Sequence, residues 1–154
     1  MSPPPLILAS TSRYRQELLS RLRLPFEVLS PEVDETPLPG ETPATLARRL
    51  ALAKAWAVAK KRPEAVVIGS DQVADLHGQP LGKPGTHERA VQQLRRLRGH
   101  RVLFHTAVAV VRAGTGFEKA ALNSVAVSFR ALDLLGAVRR RQAGCLRPLR
   151  PRWC

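Results

Sequence analysis

Residues 65–83, AVVIGSDQVADLHGQPLGK, join an apolar run, a glycine and a lone carboxylate, and the rest of the chain can be read around them. Val66, Val67 and Ile68 are adjacent β-branched residues and read as a short buried strand. At its end Gly69 lets the backbone turn, or lets a ligand approach the main chain closely. Ligands and catalytic groups collect at the carboxyl ends of strands in α/β proteins. Asp71 stands there as a lone carboxylate, outside any solvated charge run, and is a candidate metal ligand or general base. Further on, Gly82-Lys83-Pro84 sets a Lys between two backbone punctuators, a compact way to hold one cation in a fixed place. A strand-end Asp in an Asx turn and a solvated loop Lys are the plainer alternative.

The segments on either side bear on that choice. Leu6-Ile7-Leu8-Ala9 is a short apolar strand, the hydroxyls Ser10, Thr11 and Ser12 follow, and residues 13–24 carry helical periodicity in Leu18, Leu19 and Leu22. A strand, a hydroxyl cluster and a helix N-terminus in that order suit a phosphate, because free N–H groups and the helix dipole both favour an anion. Arg13 and Arg15 add charge there. An ordinary hydroxyl cap with solvated arginines fits the same residues. Residues 25–30 read as a second strand, running into Glu32, Asp34 and Glu35 between Pro31 and Pro37. Such an acid cluster is either simply solvated or holds a hard divalent cation, since Mg²⁺ takes carboxylate oxygens and shares substrate phosphates.

The clearest helix covers 43–61, with Thr42 as N-cap, Pro43 in the first turn, and Leu46, Leu50, Ala53 and Ala57 as a core stripe beside Lys54. Pro63 stops it. After the Val66 strand come a hairpin through His77-Gly78 and a helix over 87–97 on Ala90, Val91, Leu94 and Leu97. A strand follows over 100–111, alternating Val102, Phe104, Thr106, Val108 and Val110, and its partner returns over 118–129.

At 154 residues with 44% hydrophobic content the chain is long enough for one domain with a real core. It lacks the long apolar run of a membrane span and the basic and apolar regions of a signal peptide, so a cytoplasmic protein is expected. The two cysteines, Cys145 and Cys154, form neither a disulfide framework nor a zinc pattern. A net charge of +13 invites a nucleic-acid reading. Residues 130–154, however, hold seven arginines against Asp133, for +6 of that excess, and only 5% of the chain is aromatic. Nucleic acid is therefore not the expected partner.

These motifs together resemble the Maf nucleotide pyrophosphatases. The resemblance is carried by Leu8-Ala9-Ser10-Thr11-Ser12 with Arg15 and Glu17-Leu18-Leu19, and by Pro31-Glu32-Val33-Asp34-Glu35. It continues through Arg48-Arg49-Leu50 with Lys54-Ala55, Gly69-Ser70-Asp71-Gln72-Val73, Gly82-Lys83-Pro84, the strand Phe104-His105-Thr106-Ala107-Val108-Ala109, and Val127-Ser128-Phe129-Arg130. Gly-Ser-Asp-Gln-Val, Pro-Glu-Val-Asp-Glu and the aromatic Tyr14 are similar to the branch acting on 7-methyl-GTP.

The resemblance implies a two-lobed α/β fold around a long mixed sheet, like that of the inosine triphosphatases, often as a homodimer. It implies hydrolysis of the α–β phosphoanhydride of a nucleotide substrate with Mg²⁺ or Mn²⁺, giving a monophosphate and pyrophosphate. By position, Asp71 would take the proton of the attacking water or hold that water through the metal. Glu35, Asp34 and Asp71 would hold the metal. Ser10, Arg15, Lys54 and Lys83 would bind phosphate oxygens, and Tyr14 and Gln72 would set base choice. Arg13 stands where many members have Pro. Members also normally continue for several tens of residues past this point, and 136–154 match none of that. The expectation is an incomplete domain over 1–132 with the last sheet element missing, followed over 133–154 by a disordered tail of frameshifted or truncated origin. An impaired basic protein that binds nucleotide or RNA without turnover is the alternative that follows from such a loss.

Overall fold

A computed structural model describes residues 3–131. The expectations placed on the tail, including the missing sheet element, lie outside the described residues. The elements in chain order are β1 (Leu6–Ala9), α1 (Arg13–Ser20), β2 (Glu27–Leu29), α2 (Pro43–Ala59), β3 (Val66–Leu76), β4 (Gln79–Leu81), α3 (His87–Leu97), β5 (Arg101–Arg112) and β6 (Phe117–Ser128). They form the expected mixed α/β fold: a six-stranded sheet ordered β2-β1-β3-β5-β6, with β4 also paired to β3. β1 runs parallel to β2 and β3, and the other pairings are antiparallel.

The strand at the centre corrects the sequence reading. β3 does not end at Gly69 but runs on to Leu76, 11 residues in all, so Asp71 lies inside a strand. Gly69 neither turns the chain nor admits a ligand. A Cβ on it would collide with the Ala51 carbonyl oxygen and lie 2.6 Å from the Ala55 nitrogen, so this glycine lets α2 lie almost on the strand backbone. The strand's neighbours on one side are discontinuous. β1 pairs with β3 only from Val66 to Gly69, and β4 only from Ala74 to Leu76. Among the described residues, Ser70–Val73 therefore have a strand on one side only, β5.

Side chains alternate across a strand, and the two faces of the sheet carry separate cores. On one face Ile7, Ala9, Val67, Val73, Ala107, Ala109 and Val111 pack against Leu46, Ala47, Leu50, Ala51, Ala55, Val58 and Ala59 of α2. On the other, Val102 and Phe104 pack with Leu76 and Leu97, the last residue of α3. This explains why one alternation along β5 does not describe its burial. Val102 and Phe104 are buried on one face, Ala107, Ala109 and Val111 on the other, while Val108 is exposed.

Helix boundaries follow local chemistry. Thr42 caps α2 by accepting from the Thr45 N–H, and Pro43 occupies the first turn as expected. The buried face differs from the expected stripe. Ala53 and Ala57 are only half-buried, and two rows at i+4 spacing, from Leu46 and from Ala47, face the sheet with Lys54 among them. α3 spans the expected residues and is capped by Thr86, yet of its four apolar positions only Leu97 is buried. α1 stops at Ser20, short of the expected Leu24. Arg23 takes a φ of +56°, and Pro25 disfavours helix at Leu24. Leu18, and Leu22 beyond the helix end, are exposed and make no core stripe. The hairpin at His77-Gly78 forms as read, with φ of +54° and +82° at its two central residues.

A polar row crosses the sheet beyond the first core. Asp75 Oδ2 lies 3.1 Å from His105 Nε2, and His105 Nδ1 lies 2.7 Å from Ser124 Oγ. An ionised carboxylate only accepts, so Nε2 donates to Asp75, while the Ser124 hydroxyl can serve Nδ1 as donor or acceptor. The row ties β3, β5 and β6 together by their side chains.

Candidate active site

The open side of β3 at Ser70–Val73 lies past the end of β1, and there the hydroxyl cluster and the N-terminus of α1 meet it across a cavity of about 700 Å³. Ser12 caps α1, its Oγ accepting from the Arg15 N–H. Ser10 is buried at the end of β1, and its Oγ accepts from the Ser12 N–H at 3.2 Å and from Arg15 Nη1 at 3.3 Å. The strand-hydroxyl-helix sequence thus becomes a wall of the cavity with a guanidinium held against it. Tyr14, 47% exposed, and Lys83, delivered by the loop after β4, complete the lining on the solvent side.

Across from that wall, one ammonium holds two carboxylates. Lys54 Nζ donates to Asp71 Oδ1 at 2.6 Å and to Glu35 Oε1 at 2.8 Å. Lys54 comes from the sheet-facing side of α2, Asp71 from the α2-facing side of β3, and Glu35 from the loop after β2. The Lys54 and Asp71 side chains are 9% and 10% exposed, so neither charge is tolerable alone, and the pairing is what allows a Lys in a buried helix face. Glu35 is half-exposed at the cavity side of the trio. The hydrogen bond from Lys54, with the charges of Lys54, Lys83 and Arg15, holds its carboxyl below the ordinary 4.5 against the opposing cost of burial.

That shift has a pH consequence. A carboxyl whose folded value is lowered contributes stability above its unfolded value and loses it as pH falls through the folded one. Glu35→Gln is therefore expected to lower thermal stability slightly near neutral pH, where the contribution is fully present, and to converge with wild type as the pH falls below about 4.5. The effect is small because the side chain is half in solvent. Melting temperatures of the two proteins measured from pH 6 to pH 3 decide it, and parallel curves would show that Glu35 is not responsible for the acid limb.

Of the residues singled out from sequence, Ser10, Tyr14, Arg15, Glu35, Lys54, Asp71, Gln72 and Lys83 all line this cavity. Asp34 does not. It points along its own loop, its Oδ1 accepting from the Thr36 hydroxyl at 2.6 Å and the Thr36 N–H at 2.9 Å. This is an Asx turn, and those two donors hold the carboxyl below its usual range. The metal role expected for Asp34 beside Glu35 therefore has no support in its placement. Among the described residues, no group of three or more His, Cys, Asp and Glu could hold a metal ion. The sequence places Thr106 in a strand alternation and in the motif strand 104–109, with no functional role. Its Oγ1 in fact accepts from Gln72 Nε2 at 2.8 Å. A lone hydroxyl among Phe104, Val108 and Val110 was the available signal.

The family model for Maf-like protein matches residues 5–135. The chain is 70% identical over 128 residues to a 7-methyl-GTP pyrophosphatase of a Polaromonas species, covering 83% of this chain and 58% of that protein. It is 62% identical over 128 residues to the 7-methyl-GTP pyrophosphatase of Albidiferax ferrireducens, covering 83% and 64%. With the Bordetella pertussis protein of the same name the identity is 68% over 108 residues, covering 70% and 54%. The chain thus spans a little over half the length of these curated relatives. Among solved structures, a HAM1 protein from Coxiella burnetii superposes with a TM-score of 0.61 at 18% identity, covering 84% of this chain and 75% of that one, a likeness of fold.

Proposed function

The chain belongs to the Maf-like protein family, and from that premise we propose that it is a nucleoside triphosphate pyrophosphatase acting on 7-methyl-GTP or a closely related modified nucleotide. The observation that carries the reading is the arrangement of the cavity. A Lys54-clamped pair of carboxylates, Asp71 and Glu35, faces an anion-favouring wall of Ser10, Arg15 and the α1 N-terminus. The relatives named 7-methyl-GTP pyrophosphatase supply the substrate class.

In this reading Ser10, Arg15 and Lys83 hold the phosphate chain, neutralising its charge as the free N–H groups of α1 do. Asp71 accepts the proton of a water that attacks the α-phosphorus. A P–O bond to the water oxygen forms, the anhydride P–O bond breaks, and pyrophosphate leaves with its electron pair. Lys54 holds the Asp71 carboxylate in place for that step, since most of the barrier reduction comes from positioning and charge stabilisation. A divalent cation fits the donor set. Glu35 and Asp71 each have one oxygen tied to Lys54 and present hard carboxylate donors to one polar cavity, the usual partners of Mg²⁺ with substrate phosphates. Bound there, it would polarise phosphate oxygens and offset their charge.

Tyr14 offers its ring to the base. A base with a positive charge on its imidazole ring gains cation–π attraction of about 0.5–2 kcal/mol over a neutral one. The expected result is pyrophosphate release with Mg²⁺ that is faster from 7-methyl-GTP than from GTP, and a Tyr14→Ala variant whose preference narrows by about 2- to 30-fold. Release of orthophosphate instead of pyrophosphate, or none from either nucleotide, would sink the assignment. An equal loss for both nucleotides in Tyr14→Ala would make Tyr14 a packing residue.

A further inference from the structure

Gln72 lines the cavity, and its amide is anchored from behind. Gln72 and Thr106 are direct cross-strand partners in the β3–β5 ladder, and Gln72 Nε2 lies 2.8 Å from Thr106 Oγ1. Thr106 itself is not part of the cavity wall. We propose that Thr106 is a positioning residue for base recognition, holding the Gln72 amide so that its remaining N–H and its carbonyl Oε1 face the nucleotide base. This deepens the reading above and rests on it, since it requires that the cavity takes a nucleotide.

The physical case begins with side-chain freedom. Gln has three side-chain torsions, and their loss on binding opposes affinity unless they are fixed beforehand. Thr is β-branched and stiff at χ1 in a strand, so its hydroxyl is a fixed post. Gln72 sits at the stretch of β3 whose other side carries neither β1 nor β4, so among the described residues no strand neighbour there restrains it. An amide has two N–H donors and one carbonyl acceptor. With one N–H given to Thr106, a donor and an acceptor remain side by side, the complement of a base edge that carries an acceptor beside a donor. Asp71, on the adjacent position of β3, points to the α2 face, so chemistry and base reading occupy opposite faces of one strand.

The test is a double-mutant cycle on binding. Affinity for a 7-methyl-GTP analogue with a methylene in the α–β bridge is measured by calorimetry in wild type, Thr106→Val, Gln72→Ala and the double variant. Val keeps the branched shape and removes only the hydroxyl. The expected results are a loss of about 3–10-fold in Thr106→Val, no further loss when it is added to Gln72→Ala, and near-complete rescue by Thr106→Ser. Inorganic tripolyphosphate, which has no base, is expected to bind wild type and Thr106→Val alike. Independent, additive losses, an equal loss for tripolyphosphate, or an unaltered Thr106→Val each overturn the proposal while leaving the nucleotide reading intact. A wild type that binds neither ligand overturns that reading, and the role of Thr106 with it.

Discussion

Asp71→Asn is expected to cut pyrophosphate release by ~10²-fold or more while the fold and nucleotide binding persist. Asn has the shape of Asp, and its amide oxygen can still accept from Lys54, which also keeps Glu35 as a partner. What it cannot do is take a proton from water. The substitution therefore separates proton acceptance from the structural pairing that Asp71 also serves. Asp71→Ala would not, because it leaves the buried ammonium with the half-exposed Glu35 as its only remaining acceptor of the two. The measurement is single-turnover release with saturating nucleotide, beside a thermal melt and a binding isotherm. Turnover within a fewfold of wild type would remove Asp71 from the proton transfer. A collapse of the melt would mean that the pairing, not the chemistry, had been tested.

Much of the frame was legible in the sequence because its signals are local. Thr42-Pro43 starts α2 and His77-Gly78 turns a hairpin, each through chemistry contained within a few residues. The length of β3 was not legible. Gly69-Ser70-Asp71-Gln72 reads as a strand giving way to a loop, because polar residues and Gly are expected where pairing ends. Here they remain in a strand because β5 pairs with them on one side, while the other side opens onto a cavity. Lys54 illustrates the same limit. Apolar periodicity passes over a Lys, and its partners lie far off in the chain, so its burial could be seen only once Asp71 and Glu35 were placed. Motif order supplied the names of the site residues without saying which of them touch. It also gave Asp34 and Glu35 as a pair, although Thr36 draws Asp34 into its own turn. The split of the core between two faces is a tertiary fact, and it is why neither the α2 stripe nor the β5 alternation came out as read.

Gly69→Ala is expected to be among the most damaging single changes in the chain, although it adds one methyl group. The new Cβ would overlap the Ala51 carbonyl oxygen and come within 2.6 Å of the Ala55 nitrogen and 2.9 Å of the Ala55 Cβ. Two of these are backbone atoms in the middle of a 17-residue helix, so no rotamer change relieves the clash. α2 must lift from β3, loosening Leu50, Ala51, Ala55 and Val58 from Val67 and Ala109 in one movement. Overpacking of this kind in a well-packed core costs about 1–3 kcal/mol and sometimes more, and a rigid backbone obstacle places the expectation at or above the upper figure. Lys54 precedes Ala55 on the displaced helix, so its ammonium would also move relative to Asp71, and activity is expected to fall further than the loss of stability alone explains. Gly82→Ala is the matched control. A Cβ there meets no atom within 4 Å, and it is expected to stay within about 0.5 kcal/mol of wild type. Urea unfolding of the two variants beside wild type provides the comparison. If Gly69→Ala unfolds as late as Gly82→Ala, the close approach of α2 to β3 is not what holds this core together.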